Sequence, residues 1–546
     1  MNETDLSTPE TSLAKQAPSS AEGKAISGFR SASGDAKQAP QTWIIVESLV
    51  GAGIINLLRD HPSIRVVTKD DLHADPGMRI KKGDKVIIAT ETVLDEALNK
   101  LEDDGKKEMV SRLKNKVTCR QMLAAIFPDF FFQEIPVRDL PNIELAPGEK
   151  YFVKPIKGYW GSAAFPVDAQ TDRVELMHEI EAQLSKRTDI FSEQVVAKDR
   201  LIVEEFLEGE EYAVDMFFDE SGQPVITNIC HHPLPKKLDY LHVVYYTSYE
   251  VYRNLYPKFI EFFNALNQSL QARSLPIHGE FKLHKGKLTP IELNPLRFGS
   301  DGFADLSFHA FGFNPFLYFA ENRSPDWEAL WKGREKKIFA FYLGYNGSDL
   351  DTGHFRPDLR NFRRLFSHIL SDTAMNYQDT LAFAVMYIEE DSLERIHELL
   401  GVEFNEYFVD LKQYSQKSYQ ELYRAGTEKK LAPGQILWNV DDPGDYLVLI
   451  LQGELEVFLP GDQGEILLET YGPGAAVGEL SAIDGLPRSA AVRAKTQGKV
   501  MKIAGSVFRD LIQRTPDILE DLFWQQVNRV RKLNHELTNK NHGVRK

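Results

Sequence analysis

Apolar and polar positions change their spacing several times along this chain, and each change marks a different kind of structure. From Trp43 the runs TWIIVES, RVVTKD and KVIIATE are short, apolar and bounded by polar residues, the pattern of buried strands. GAGIINLLRD follows the first of them as a turn into a helix. Strands alternating with helical stretches predict a parallel α/β domain over 41–116. Further on, KKIFAFYLGYNG and LAFAVMYIEED are again strand-like, and DSLERIHELLGVEF sets Leu393, Ile396, Leu399 and Leu400 at helical spacing. These predict an accessory α/β subdomain and linker over 335–428. From about Leu431 the apolar runs are cut by Pro-Gly and Gly-Asp turns, which predicts an antiparallel β domain with helices over 429–546.

The last stretch, PDILEDLFWQQVNRVRKLNHEL, places Phe523, Val530 and Leu537 in one row and Leu519, Gln526 and Leu533 in the row beside it. Such a seam either pairs with a copy of itself, giving a homodimer, or packs on its own domain. Residues 1–40 are rich in Ser, Ala, Lys, Gln and Pro. They lack the apolar surface that offsets ordering entropy, so they read as a disordered tail.

Length and charge narrow the class. A chain of 546 residues exceeds one core, so the fold class is multidomain α/β and α+β. The net charge of −16 argues against a broad nucleic-acid surface, which needs Lys and Arg to replace phosphate counterions. Cys119 and Cys230, the two cysteines, are far apart in sequence, which gives neither a disulfide framework nor a zinc site and fits a reducing cytoplasm. No apolar run reaches the roughly 18 residues of a membrane span, and the acidic N-terminus lacks the apolar core of a secretory signal.

The middle of the chain carries three segments with chemistry. In YFVKPIKGYWGSA, Lys154 ends an apolar strand and is followed by Gly158, Gly161 and Ser162. A strand-end ammonium and glycine-rich backbone suit phosphate oxygens. In LIVEEFLEGEEYAVDMFF two strands flank an acidic stretch, which is either a solvated hairpin or a place to hold an adenine edge and ribose hydroxyls. In HGEFKLHKGKLTPIELNPLRFG, Glu292 and Asn294 share one face of a strand, and a Lys-Gly-Lys turn brings Glu280 beside them. Three oxygen ligands suit Mg²⁺, and two facing carboxylates in an apolar hairpin are expected to repel without a cation. The Gly51-Ala52-Gly53 turn either holds a phosphate or is simply tight.

In their order and spacing these segments resemble the ATP-grasp superfamily, over about 117–334, with 41–116 similar to that family's N-terminal domain. The resemblance implies that Lys116 and Lys154 contact ATP phosphates, with Gly158, Gly161 and Ser162 closing over them. It implies that Glu204, Glu205 and Leu207 form the adenine hinge and that Glu211 holds the ribose. Glu280, Glu292 and Asn294 would bind two Mg²⁺, and Arg297 with Lys154 would serve catalysis, Arg297 by taking a substrate carboxylate. In many relatives an arginine directly follows Asn-Pro, whereas here Leu296 intervenes. His278 stands where many carry arginine and reads as a core or supporting histidine. HHPLPKKLDYLHVVYYTS reads as a substrate-facing loop. The implied reaction is ATP-dependent ligation of a carboxylate to an amine, or to another nucleophile, through an acyl phosphate. The alternative is an inactive ATP and cyclic-nucleotide sensor that signals through a protein partner.

The segment GELSAIDGLPRSAAV sets Gly478, Glu479 and Arg488 between apolar strands. Glycine permits close approach, and a guanidinium fork suits the paired oxygens of a phosphate diester. An internal Glu–Arg ion pair is the bland alternative. The stretch is similar to the phosphate cassette of cyclic-nucleotide-binding domains, especially that of the bacterial cAMP receptor protein. Turns at Gly434, Gly444, Gly453 and Gly474 fit that family's β-roll. By this resemblance Gly478, Glu479 and Leu480 hold ribose and phosphate, Arg488 the phosphate, Ser489 a phosphate oxygen or the base, and Arg529 and Asn534 lie on a helix covering the base. The expected ligand is cAMP, with cGMP not excluded. The few residues after Leu537 are too short for a helix-turn-helix, so the expected output is regulation of the ligase, without DNA or membrane.

Overall fold

The computed structural model describes residues 40–514 except 50–51, 159–162, 188–198, 236–241, 348, 379, 411–421 and 462–463, together with Ile518. The expected disordered tail, Gly51, Gly161, Ser162, the heptad seam, Arg529 and Asn534 all lie outside the described residues, as does part of the HHPLPKKLDYL loop.

Strands β1 (Thr42–Val46), β2 (Ile64–Thr68) and β3 (Lys85–Ile88) form the expected parallel sheet, in the order β2-β1-β3. Continuous burial of β1 and β3 explains their unbroken apolar runs. The helix expected after β1 is a 3₁₀ helix, Gly53–Leu58. Its entry is held by a side chain of this protein: Ile54 N donates to Asp305 Oδ2 at 3.2 Å. The turn at Gly53 is therefore occupied by a carboxylate, and burial raises the Asp305 carboxyl to about 7 against the opposing hydrogen bond from Ile54.

Helices α1 (Asp104–Lys114) and α2 (Lys116–Leu123) lead into a four-stranded antiparallel sheet. It comprises β4 (Phe132–Pro136), β5 (Tyr151–Pro155), β6 (Phe165–Val167) and β7 (Arg200–Glu205), in the order β4-β7-β5-β6. Val153, Leu201 and Val203 pack there on Ile180 and Leu184.

The largest sheet contains β8 (Glu210–Phe218), β9 (Pro224–His232), β10 (Val244–Ser248), β11 (Leu275–His284), β12 (Lys287–Pro295) and β13 (Ile338–Tyr345). After the short β14 (Phe355–Pro357), β15 (His368–Ala374) and β16 (Ala382–Glu390) complete it in the order β12-β11-β8-β9-β10-β13-β16-β15. This corrects the expected accessory subdomain over 335–428. Its long strands do not make a sheet of their own; β13 pairs with β10 and continues the central one. Among the described residues of this stretch, only β14 and β17 (Phe408–Asp410) pair apart. The helix α4 (Leu393–Leu399) buries Ile396 and Leu399, but Leu393, expected on that face, is exposed.

Helix α3 (Tyr249–Leu270) is capped by Ser248, whose Oγ accepts from Val251 N at 3.2 Å. Its apolar stripe lays Phe259 and Phe262 edge-on against Phe281, each with ring centroids 5.0 Å away. Such pairs add about 0.5–1.5 kcal/mol each beyond burial. They fix β11, the strand that carries His278 and Glu280.

The C-terminal β domain forms two antiparallel sheets, as expected. One holds β18 (Thr427–Leu431), β20 (Tyr446–Gln452), β23 (Ala476–Val477) and β25 (Gly498–Ala504). The other holds β19 (Ile436–Trp438), β21 (Leu455–Leu459), β22 (Ile466–Tyr471) and β24 (Ala491–Ala494). No helix among the described residues is long and apolar enough to cross a membrane.

Candidate functional site

Adjacent residues on a strand face opposite ways. On β5 this sends Val153 into the core beneath and Lys154 to the other face. There Lys154 Nζ lies 2.7 Å from Glu204 Oε1 and donates to Ile291 O at 3.3 Å. Arg120 Nε donates to the other Glu204 oxygen at 2.8 Å. All three side chains are buried. Burial alone would raise Glu204, yet Lys154 and Arg120 hold its carboxyl down at about 2. The Glu204 carboxylate thus faces two cations. The hinge segment itself spans two sheets, because β7 belongs to the four-stranded sheet and β8 to the eight-stranded one. The solvated-hairpin reading is thereby overturned. Glu205 N donates to Phe131 O at 3.1 Å, and Leu207 is half-buried.

Between the sheets lies a cavity of about 340 Å³. Lys154, Glu211, Glu280, Glu292, Asn294 and Arg297 all line it, so the structure gathers six of the expected residues. Glu280 sits directly opposite Glu292 in the β11–β12 hairpin, and His278 opposite Asn294. Lys116, at the first position of α2, puts its Nζ 3.1 Å from Glu292 Oε2. The expected repulsion between the two carboxylates is therefore not what a cation must relieve. Burial would raise Glu292, but Lys116, Lys114 and Lys154 pull it far below the usual carboxylate range. Gly158, half-buried, follows Lys154 beside Pro155.

An ionised Glu292, an open Glu280 and the Asn294 amide oxygen are hard oxygen donors, which fits Mg²⁺. Among the described residues no three His, Cys, Asp or Glu side chains converge as a metal cluster. Water and phosphate oxygens would complete the coordination, as Mg²⁺ prefers. His278 supports this wall as expected. Its Nδ1 is 2.7 Å from buried Asp215, and its Nε2 is 3.6 Å from Glu280.

Glu211 Oε1 is 2.8 Å from His232 Nδ1, and Lys282 Nζ is 3.0 Å from Oε2. Burial opposes ionisation there, but those two neighbours lower the carboxyl to about 2. Arg297 is positioned by a left-handed Leu296, φ 63°, whose carbonyl accepts from Ile88 N at 2.7 Å. The residue interposed after Asn-Pro is thus bridged to the end of β3, and Arg297 still reaches the cavity.

Sequence reasoning missed Glu91, Lys114, Arg120 and Asp301. Glu91 grips Lys114 through Oε1 and stands 3.6 Å from Arg297 Nε through Oε2. Burial lowers Lys114 to about 7. The run LKNKVTCR, dense in cations within an acidic chain, was the available signal for Lys114 and Arg120. Nothing around Glu91 marked it.

In the C-terminal domain Gly478 has φ 88°, and a Cβ there would fall 2.6 Å from Arg488 Nη1 and 3.0 Å from Trp438. Arg488 is only 2% exposed. Its guanidinium lies 4.0 Å from the Trp438 ring centroid and 4.8 Å from that of Tyr446. Nη1 donates to Gly478 O at 3.0 Å and Nη2 to Tyr446 O, while buried Nε has no hydrogen-bond partner among the described residues. The fork expected to face a phosphate is turned onto backbone carbonyls of its own domain. Glu479 is buried at the start of α5 (Glu479–Asp484), whereas Leu480 and Ser489 are exposed.

With this geometry in hand, the comparisons define the class. Residues 149–305 match the ATP-grasp domain and residues 428–515 the cyclic nucleotide-binding domain. The chain thus carries one of each. Over 90 residues it is 36% identical to a cAMP-dependent protein kinase regulatory subunit of Emericella nidulans, covering 16% of this chain and 21% of that one. Over 100 residues it is 30% identical to a cyclic nucleotide-gated potassium channel of Mesorhizobium japonicum, covering 18% of this chain and 26% of that one. The chain spans about a fifth to a quarter of the length of these curated relatives. Among solved structures, the L-amino acid ligase of Bacillus licheniformis superposes with a TM-score of 0.50 at 16% identity, covering 68% of this chain and 99% of that one. That similarity establishes shared fold.

Proposed function

We infer that this protein is an ATP- and Mg²⁺-dependent carboxylate–amine ligase regulated by a cyclic nucleotide. The observation that supports the reading most is the hairpin in which Glu280 faces Glu292, with Lys116 beside Glu292 and Lys154 on the facing sheet. Oxygen ligands and ammonium groups converge on one cavity, which suits a triphosphate with its metal. Bound Mg²⁺ would neutralise charge on the transferring phosphoryl group.

In this reading Lys116 and Lys154 exchange their carboxylate partners for phosphate oxygens. Arg297 orients a substrate carboxylate. That carboxylate takes the γ-phosphoryl group of ATP, releasing ADP. The nitrogen lone pair of the amine then forms the new bond to the carbonyl carbon, inorganic phosphate departs, and the amine loses its proton. No side chain is covalently modified, so the residues act by positioning and charge.

The cyclic nucleotide, cAMP by preference, is assigned to the C-terminal domain, with Arg488 turning from its carbonyls to the phosphate. To regulate, it must bind active and inactive states with affinities differing by about 1–3 kcal/mol, which changes turnover about 5- to 150-fold. The test is a screen of amino acids and small carboxylates for ADP and phosphate release, with and without cAMP. ADP formation dependent on a carboxylate and an amine supports the ligase. ATP binding with no ADP across the panel would leave a sensor instead.

A further inference from the structure

The loop after the Glu280–Glu292 hairpin is fixed at three points. Gly299 N donates to Asp215 Oδ1 at 2.7 Å, Tyr387 Oη donates to Gly302 O at 2.9 Å, and Asp305 holds Ile54 N. Gly302 has φ 88°, and a Cβ there would come within 2.4 Å of the Tyr387 hydroxyl. Tyr387 is buried on β16, in the part of the central sheet that follows the ATP-grasp match. Between these anchors stands Asp301.

Asp301 adopts φ 56°, a left-handed turn conformation that aspartate enters more readily than most residues. Asp301 lines the cavity while remaining exposed to solvent, and Ser300 Oγ donates to its Oδ2 at 3.1 Å. Arg297 lines the same cavity, and among the described residues no ion pair joins the two. One cavity therefore presents a carboxylate and a guanidinium that feel each other's charge without direct contact, Glu91 standing 3.6 Å from Arg297 Nε. The walls beside them are Tyr245, Phe303, Phe341 and Leu343. A ligand complementary to this set carries a carboxylate, an ammonium group and an apolar or aromatic side chain.

We propose that Asp301 binds the ammonium group of an α-amino acid substrate whose carboxylate is taken by Arg297 and whose apolar side chain lies against Tyr245, Phe303 and Phe341. Tyr387 is a positioning residue that fixes the loop through Gly302. The assignment rests on the ligase reading above and specifies the substrate for that site.

The experiment is titration calorimetry on the full chain with Mg²⁺ and a non-hydrolysable ATP analogue. The ligands are L-phenylalanine, L-leucine and L-methionine, each paired with the des-amino acid of the same skeleton. The wild type is expected to prefer at least one amino acid over its des-amino partner by about tenfold or more. Asp301→Asn should reduce that ratio about tenfold. Tyr387→Phe should reduce it in the same direction by less. Arg297→Gln should weaken both members of a pair alike and leave the ratio unchanged, a split that loss of folding does not produce. Equal binding of every pair by the wild type, or an unchanged ratio in Asp301→Asn, overturns the assignment. A ratio that falls as expected while no panel compound supports ADP release would retain the pocket and reject the ligase.

Discussion

The ammonium of Lys116 lies 3.1 Å from the Glu292 carboxylate, which joins the start of α2 to the strand opposite Glu280. The contact keeps Glu292 ionised, and it sets the cation to which we assign a phosphate beside the anion to which we assign the metal. Glu292→Ala should therefore lower ADP formation by about 100-fold or more, the scale of losing one preorganised electrostatic group. ATP hydrolysis coupled to phosphate release measures it; turnover within a few-fold of wild type would remove Glu292 from the site.

Glu204 joins Lys154 and Arg120 in a buried cluster, and breaking such a cluster from one side destabilises by about 3–5 kcal/mol. Glu204→Ala should thus shift urea unfolding as well as activity. The pH dependence has a definite sign. The folded carboxyl is lowered from 4.5 to about 2, so its stabilisation is complete above about 4.5 and is lost as pH falls toward 2. The variant should show a shallower acid limb in that window.

Asp305 behaves oppositely. Its carboxyl is raised from 3.8 to about 7, so the folded state holds a proton that the unfolded state has released. Stability contributed by this group declines as pH rises from about 4 to 7. Asp305→Asn retains an oxygen to accept from Ile54 N and removes the titration. Its advantage over wild type should grow across that window to a few kcal/mol at most. Denaturant melts at pH 4.5 and 7.5 compare the two.

Arg488→Gln should abolish the effect of cAMP and weaken its binding by about tenfold or more, because glutamine offers no charged fork. The Trp438 ring lies against the guanidinium, so tryptophan fluorescence should respond to cAMP in the wild type. Retained affinity in the variant would place the ligand elsewhere.

Much of the site was legible because its chemistry is local. Glu292 and Asn294 share a strand face by the two-residue period, and the Lys-Gly-Lys turn set Glu280 opposite. Lys154 is legible as the polar residue on a strand whose neighbour Val153 is core. Asp301 was not legible, because its role depends on a loop held by Asp215 and Tyr387 from remote strands. The ion pairs of Glu204 were hidden for the same reason. A carboxylate after an apolar strand says nothing of the two cations brought to it from β5 and α2.

By itself the sequence determined the two kinds of domain, their order and the hairpin that pairs Glu280 with Glu292, since periodicity, turn residues and short spacings encode neighbours along the chain. Only the tertiary structure decided that β13 and β16 extend the central sheet, that Glu91 and Arg297 meet, and that Arg488 rests on its own carbonyls. Those outcomes depend on which surfaces desolvate against each other, and charge pairing between distant segments follows from that packing and from no local pattern.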